Sequence, residues 1–184
     1  MNLTLVCKSD NDLCHILQHN NVTFNRTEAA QEAIEHAPKG SGILILADGY
    51  PNTPTPVDLT VMEMARNKNQ RVYLEFPSDL PDMEVGNIRG IEWERAVVSS
   101  DAFSSLEKLR ILMIHGCRFV DVQHANPHIV IARIAGFDHA VYGLPDETCP
   151  ILFEHNNLLV ATTKLSQLQT ARYAPAEAWQ TIWQ

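Results

Sequence analysis

The sequence predicts an α/β fold: a doubly wound, mostly parallel sheet with helices on both faces and additional β-hairpin strands in the C-terminal half. Three observations carry this expectation. The first half alternates short apolar runs with amphipathic stretches in the order β-α-β-α-β-α-β, the pattern of parallel strands joined by helical crossovers. Its clearest run, Gly42-Ile43-Leu44-Ile45-Leu46-Ala47, is continuously apolar, as suits a strand covered on both faces. From Ala96 onward strand-like runs follow one another with few long helices between them, which calls for hairpin connections.

The elements read as follows. Leu3–Cys7 is a short apolar strand. A helix over Asn11–Gln18 places Leu13, Ile16 and Leu17 at helical spacing, with Ser9 or Asp10 as its N-cap. Asn20-Asn21 ends it, and Val22–Phe24 is a second short strand. Thr27 caps a helix over Glu28–His36, which Pro38-Lys39-Gly40 stops. The apolar strand 42–47 runs into a loop of breakers, Asp48-Gly49-Tyr50-Pro51-Asn52. A helix over Val57–Asn67 presents Leu59, Val61, Met62 and Met64, and strand Arg71–Phe76 follows.

In the second half, Ala96–Val98, Arg110–His115, His128–Gly136 and Phe137–Gly143 read as strands. Ile151–Glu154 and Leu158–Thr162 flank His155-Asn156-Asn157 as a hairpin. Pro175–Gln184 reads as a helix carrying Trp179, Ile182 and Trp183 on one side; it reaches the last residue without a C-cap, as if a longer chain continued. No repeat or linker divides the sequence, so residues 1–184 are expected to form one domain.

Composition narrows the function. A chain of 184 residues, 45% apolar, is large enough for a conventional core. Its net charge of −8 argues against nucleic acid or an anionic membrane as partner, since both select basic faces. Only 8 glycines are present and none cluster in a loop, against a usual ~7%, so no phosphate cradle and no cofactor is expected. The four cysteines, Cys7, Cys14, Cys117 and Cys149, are scattered with no C-x-x-C pair, and read as small buried hydrophobes rather than disulfides. The N-terminus enters an apolar strand without a basic leader, so no signal peptide is visible. No apolar run approaches the ~20 residues of a membrane span.

In doubly wound sheets, ligands gather beyond the carboxyl ends of the strands. Two such ends, Asp48-Gly49-Tyr50 and Glu75-Phe76-Pro77-Ser78, together with His115 and Lys164, are the expected lining of a crevice. Glu75 and Asp48 are its candidate catalytic carboxylates. A carboxylate closing an apolar strand needs a partner, for which Lys164, Arg133 and Arg172 are available. Glu75 is then either a structural ion pair or an acid/base group, while Asp48 before Gly49 is also an ordinary turn former. His115, Cys117, His124 and His128 follow H-x-C-x6-H-x3-H; the donors suit zinc, but the spacing matches no established motif, and no metal is expected. Ser99-Ser100-Asp101 and Ser104-Ser105 read as caps and turns.

The order of "GSGILILADGYP", a helix and "QRVYLEFPSDLPD" resembles the class I glutamine amidotransferase-like superfamily, whose pattern flavodoxin-like folds share. The C-terminal "LLVATTKLSQLQTARYAPAEAWQTIW" is similar to the end of the trehalose-utilisation (ThuA-like) branch. In that superfamily one strand ends in an oxyanion loop and the next in a Gly-x-Cys-x-Gly nucleophile elbow. Here Phe76 or Pro77 stands at the nucleophile, no Gly flanks it, and Pro77 has no N–H for an oxyanion. The family's His-x-Glu is replaced by the reversed pair Glu154-His155. The resemblance therefore implies the fold without amidotransferase activity. It implies a structural or ligand-binding domain associated with carbohydrate degradation, with a carbohydrate ligand and a covalently linked glycoside hydrolase module as partners. A periplasmic or extracellular home goes with that role. Two other readings stay open: a hydrolase acting on a sugar or small acyl substrate through Glu75 and Asp48, and a docking or oligomerisation module built on Trp179 and Trp183.

Overall fold

In the computed structural model of the chain, residues 2–112, 114 and 116–167 are described. The first half alternates as expected: β1 (Leu3–Val6), α1 (Asp12–His19), β2 (Asn25–Thr27), α2 (Ala30–His36), β3 (Gly42–Ile45), α3 (Leu59–Asn67) and β4 (Arg71–Glu75). Strands alone follow among the described residues: β5 (Ile88–Gly90), β6 (Arg95–Val98), β7 (Ile111–Leu112), β8 (Arg118–Val120), β9 (Ile129–Ala132), β10 (Cys149–His155) and β11 (Leu158–Ala161). The fold class is mixed α/β.

Nine strands form one sheet in the order β2-β1-β3-β4-β11-β10-β9-β6-β7, while β5 and β8 pair as a separate ribbon. The pairs from β2 to β11 are parallel, and those from β11 to β7 are antiparallel. After β2 the chain returns past β1 to form β3, so the strand order reverses between β1 and β3. The β10–β11 hairpin turns on Asn156-Asn157, with Asn156 at φ 55°, and it returns β11 to the centre of the sheet, parallel to β4.

Alternation along the strands divides the core. Leu5, Tyr73 and Ala161 join one cluster, to which α1 adds Leu13 and Cys14. Val6, Ile43, Ile45, Val72, Leu74 and Val160 join a second, to which α2 adds Ala33 and Ile34 and α3 adds Val61, Met62 and Ala65. Both sides of β1, β3 and β4 are thus covered, which is why consecutive apolar residues occur in each: Leu5 and Val6, Ile43, Leu44 and Ile45, and Val72, Tyr73 and Leu74. Across the antiparallel half, Val97, Val130 and Ala140 form a small separate cluster.

Several elements differ from the sequence reading. The N-cap of α1 is Asn11, whose side chain accepts the Leu13 N–H, in place of Ser9 or Asp10. The strand expected at Val22–Phe24 forms at Asn25–Thr27, because Asn20-Asn21 needs extra residues to reverse the chain, Asn21 taking φ 56°. Thr27 does not cap α2 directly; α2 begins at Ala30 and Thr27 bonds Glu32 and the Ala29 N–H. Residues 137–143, expected as a strand, form a loop that lays its 138–140 segment along β7: Ile111 N–H donates to Asp138 and Ala140 N–H to Leu109. Phe137 (93% exposed) and Tyr142 (89% exposed) face solvent there. The β5–β8 ribbon was not anticipated, since all three residues of β5 are exposed and carry no apolar pattern. The helix expected at Pro175–Gln184, with Trp179 and Trp183, lies outside the described residues.

Candidate functional site

The crevice expected beyond β3, β4 and β11 exists as a meeting point of loops, and side chains fill it. Phe76, the first residue after β4, adopts φ 47°, a left-handed conformation that costs a non-glycine residue roughly 1–2 kcal/mol. Strained backbone at the end of a central parallel strand is what an elbow presenting a nucleophile requires. Here the side chain is a fully buried phenylalanine. It packs with Ala47, Val120 and the Tyr50 ring. Its N–H donates to the Ala161 carbonyl at 2.7 Å, and its own carbonyl accepts the Thr55 N–H at 2.7 Å. Pro77 then pairs with Thr55 as an isolated bridge, and no helix starts before β5. Phe76 and Pro77 therefore present neither a nucleophile nor a free donor.

Glu75, one residue earlier, is fully buried with both carboxylate oxygens engaged. Oε1 accepts from Tyr73 Oη at 2.8 Å, Leu165 N at 2.9 Å and Ser166 N at 2.7 Å. Oε2 accepts from Ala47 N at 3.1 Å and Ser166 Oγ at 2.8 Å. One side chain thus ties the ends of β3 and β4 to the segment after β11. Burial pushes its pKa up, while the Ala47 N–H, the Tyr73 and Ser166 hydroxyls and the charge of Lys164 pull it down less strongly. Burial and the Glu75 charge push the Tyr73 phenol well up, keeping it a proton donor. The cationic partner expected for Glu75 is replaced by neutral donors. Lys164 forms no ion pair with it, Arg133 bonds Glu94, and Arg172 is outside the described residues. A pleat position shared with backbone N–H groups gives more hydrogen bonds than a flexible ammonium would.

Asp48 performs a similar tie at the reversal between β1 and β3. Its Oδ2 accepts Lys8 N–H at 2.6 Å and its Oδ1 accepts Asn11 Nδ2 at 3.1 Å. Gly49 follows because a Cβ there would stand 2.8 Å from the Thr53 carbonyl oxygen. Tyr50 then reaches across to β8: its hydroxyl accepts Arg118 N–H at 2.7 Å, and Thr163 Oγ1 donates to the Arg118 carbonyl at 2.7 Å. Burial raises the Tyr50 pKa above its ordinary value. Ser78 is exposed, and its Oγ accepts the Val57 N–H at 3.2 Å. His115 lies outside the described residues.

No protein-family model matches the chain, and no curated protein matches it.

A large open cleft lies at the same end of the sheet, displaced toward its antiparallel half. It has a volume of about 610 Å³ and is lined by Arg89, Glu94, Phe119, Arg133, Glu147 and Cys149, among others. Strand direction brings these residues together. Cys149 opens β10, Arg133 follows β9 and Glu94 precedes β6, and in this antiparallel run those three ends lie side by side. The β5–β8 ribbon contributes the facing wall through Arg89 and Phe119. Arg89 stacks over the Phe119 ring at 5.4 Å and its Nη1 donates to Asp121 Oδ2 at 3.2 Å and to Cys149 Sγ at 3.4 Å. Arg133 Nε donates to Glu94 Oε1 at 2.9 Å, while Glu94 Oε2 accepts the N–H groups of Glu92 and Trp93. Sequence reasoning named Arg133 only as a partner for Glu75 and missed this cleft, because its walls come from four separate segments with no shared pattern.

The described members of the histidine and cysteine group, Cys117, His124 and His128, do not converge. Cys117 packs in the core cluster that includes α1, whereas His124 stacks on Phe153 of the opposite cluster at 4.5 Å. His128 Nδ1 bonds Ser100 Oγ at 2.9 Å. Among the described residues no three His, Cys, Asp or Glu side chains could hold one metal ion. No helix among them is long and apolar enough to cross a membrane.

Proposed function

We propose that this chain is a non-catalytic amidotransferase-like domain of the ThuA-like kind, with a structural or ligand-binding role in carbohydrate degradation. The observation that carries this reading is Phe76. It occupies the strained turn after β4 with φ 47° and a fully buried ring, and Pro77 follows it without an N–H. A turn of this shape with an inert side chain is the expected remnant of an elbow that has lost its nucleophile. The parallel order β2-β1-β3-β4-β11 supports a flavodoxin-like, doubly wound arrangement. The assignment of α1 to one core cluster and of α2 and α3 to the other fits it.

The ligand-binding version places a carbohydrate in the cleft of Arg89 and Arg133, and a linked or associated glycoside hydrolase supplies the chemistry. Sugars are held largely by planar polar side chains, and the cleft provides these in Arg89, Glu94 and Arg133. A hydrolase using Glu75 is the weaker reading, since five donors cover that carboxylate and no face of it meets solvent.

The test is turnover and binding side by side. Incubation with glutamine, aryl glycosides and acyl esters is expected to release no product, while calorimetric titration with oligosaccharides is expected to give heat. Product release that Glu75→Gln or Ser78→Ala abolishes would overturn the non-catalytic reading. Absence of heat with every oligosaccharide would remove the ligand-binding version.

A further inference from the structure

We propose that the cleft beside the filled elbow selects an acidic sugar, a uronic acid residue of an oligosaccharide, through the guanidinium groups of Arg89 and Arg133, which line it. This deepens the carbohydrate-binding reading above and rests on it. The two arginines come from separate elements, Arg89 from β5 and Arg133 from the end of β9, and both line the same space.

Each guanidinium is held on one side and open on the other. Arg133 is fixed through Nε by Glu94, and Glu94 is itself fixed by the backbone N–H groups of Glu92 and Trp93. Among the described residues its two terminal nitrogens bond nothing, and most of the side chain is exposed. Arg89 is fixed through Nη1 by Asp121 and Cys149, with its guanidinium carbon 5.4 Å from the Phe119 ring centroid, and among the described residues its Nη2 bonds nothing. Arginines oriented by a carboxylate behind them, with a fork free in front, suit a planar carboxylate.

The remaining wall explains why the ligand is a sugar acid rather than a simple anion. Asp146 and Glu147 line the cleft and have no partner among the described residues, and Gln123 lies beside them. A bare anion would be repelled by those carboxylates. A uronate satisfies both sets of groups: its carboxylate accepts from the guanidinium forks, and its hydroxyls donate to Asp146 and Glu147.

The full chain would be titrated calorimetrically with an oligogalacturonate and with neutral cellotriose, as wild type and as the Arg133→Gln and Arg89→Gln variants. Near-ultraviolet circular dichroism establishes that each variant is folded. Arg133 is largely exposed, so its variant is expected to fold even if Arg89→Gln does not. The proposal expects the oligogalacturonate to bind more tightly than cellotriose, and each folded variant to lose roughly tenfold or more of that affinity. It also expects the uronate affinity to fall with added salt. Equal binding of cellotriose and oligogalacturonate overturns the acidic-sugar assignment and leaves the carbohydrate reading in place. Tight uronate binding that both folded variants retain overturns the assignment of the site. Binding of neither probe overturns both.

Discussion

The ring of Tyr50 stands edge-on against the ring of Phe76, with centroids 5.1 Å apart and planes at 79°. The sequence names both side chains as the lining of a crevice, and they pack against each other where the loops after β3 and β4 meet. This contact also stabilises a residue whose backbone is strained.

Position 76 should invert a usual preference. Truncating a fully buried phenylalanine to alanine costs about 3–5 kcal/mol, and Phe76→Ala is expected in that range. Glycine normally costs more than alanine because its unfolded chain is freer, but at φ 47° alanine keeps the left-handed penalty and glycine does not. Phe76→Gly is therefore expected to be about 1 kcal/mol more stable than Phe76→Ala. Urea denaturation of the two variants checks this, and the reverse order would show that the turn relaxes once the ring is removed.

Glu75 should make stability fall as pH rises. Its folded pKa is raised by burial, so between the unfolded and folded values the native state holds a proton that the unfolded state has lost. Stability from this group is full below the ordinary carboxylate range and declines as pH passes through the raised value. Glu75→Gln cannot titrate and should flatten that decline above the ordinary carboxylate range. Its amide nitrogen also sets a donor where Ala47 N–H needs an acceptor, a loss of about 1–3 kcal/mol. Denaturation midpoints of both proteins at rising pH measure both effects.

The parallel half was legible because period and breakers act locally. Mostly apolar runs mark β1, β3 and β4, and the Asn156-Asn157 turn marks the last hairpin. Glu75 and Asp48 were recognised as unusual, since a carboxylate at the end of an apolar strand must be paid for by partners. What those partners are was not legible: Leu165, Ser166 and Lys8 donate backbone N–H groups, which every residue has and no side-chain pattern reveals. The cleft was hidden for a related reason. Arg89, Glu94 and Arg133 become neighbours only once β5, β6 and β9 take their places, and an exposed three-residue strand such as β5 leaves no periodic trace.

The four thiols should separate by burial. Cys7, Cys14 and Cys117 are almost fully buried, while Cys149 is partly exposed in the cleft. Burial, then the neighbouring Cys14 thiol and the Asp48 charge, push Cys7 up to about 12 against a smaller pull from Arg26. Burial also raises Cys149, partly offset by Arg89. Because the thiolate is the reactive form, an aromatic disulfide reagent at about pH 8 is expected to label Cys149 slowly and the other three only after denaturation. Rapid labelling of Cys7 or Cys14 in the native protein, located by mass spectrometry, would show that the end of β1 opens.

Glu94 carries the opposite pH dependence from Glu75. Burial alone would raise its pKa, but the Arg133 guanidinium and the N–H groups of Glu92 and Trp93 outweigh burial and hold it down to about 2. A depressed folded pKa gives stability that is present above the ordinary carboxylate range and lost as pH falls toward that value. Acid below about pH 4 should therefore loosen the wall of the cleft while Glu75, already protonated, contributes fully. Glu94→Gln is expected to remove part of the acid sensitivity and to free Arg133 from its anchor. Acid titration followed by near-ultraviolet circular dichroism measures the first effect. Hydrogen exchange at Arg133 Nε measures the second: with the amide oxygen kept on the Glu92 and Trp93 N–H groups, the amide nitrogen faces Arg133, and its Nε proton should exchange faster in the variant.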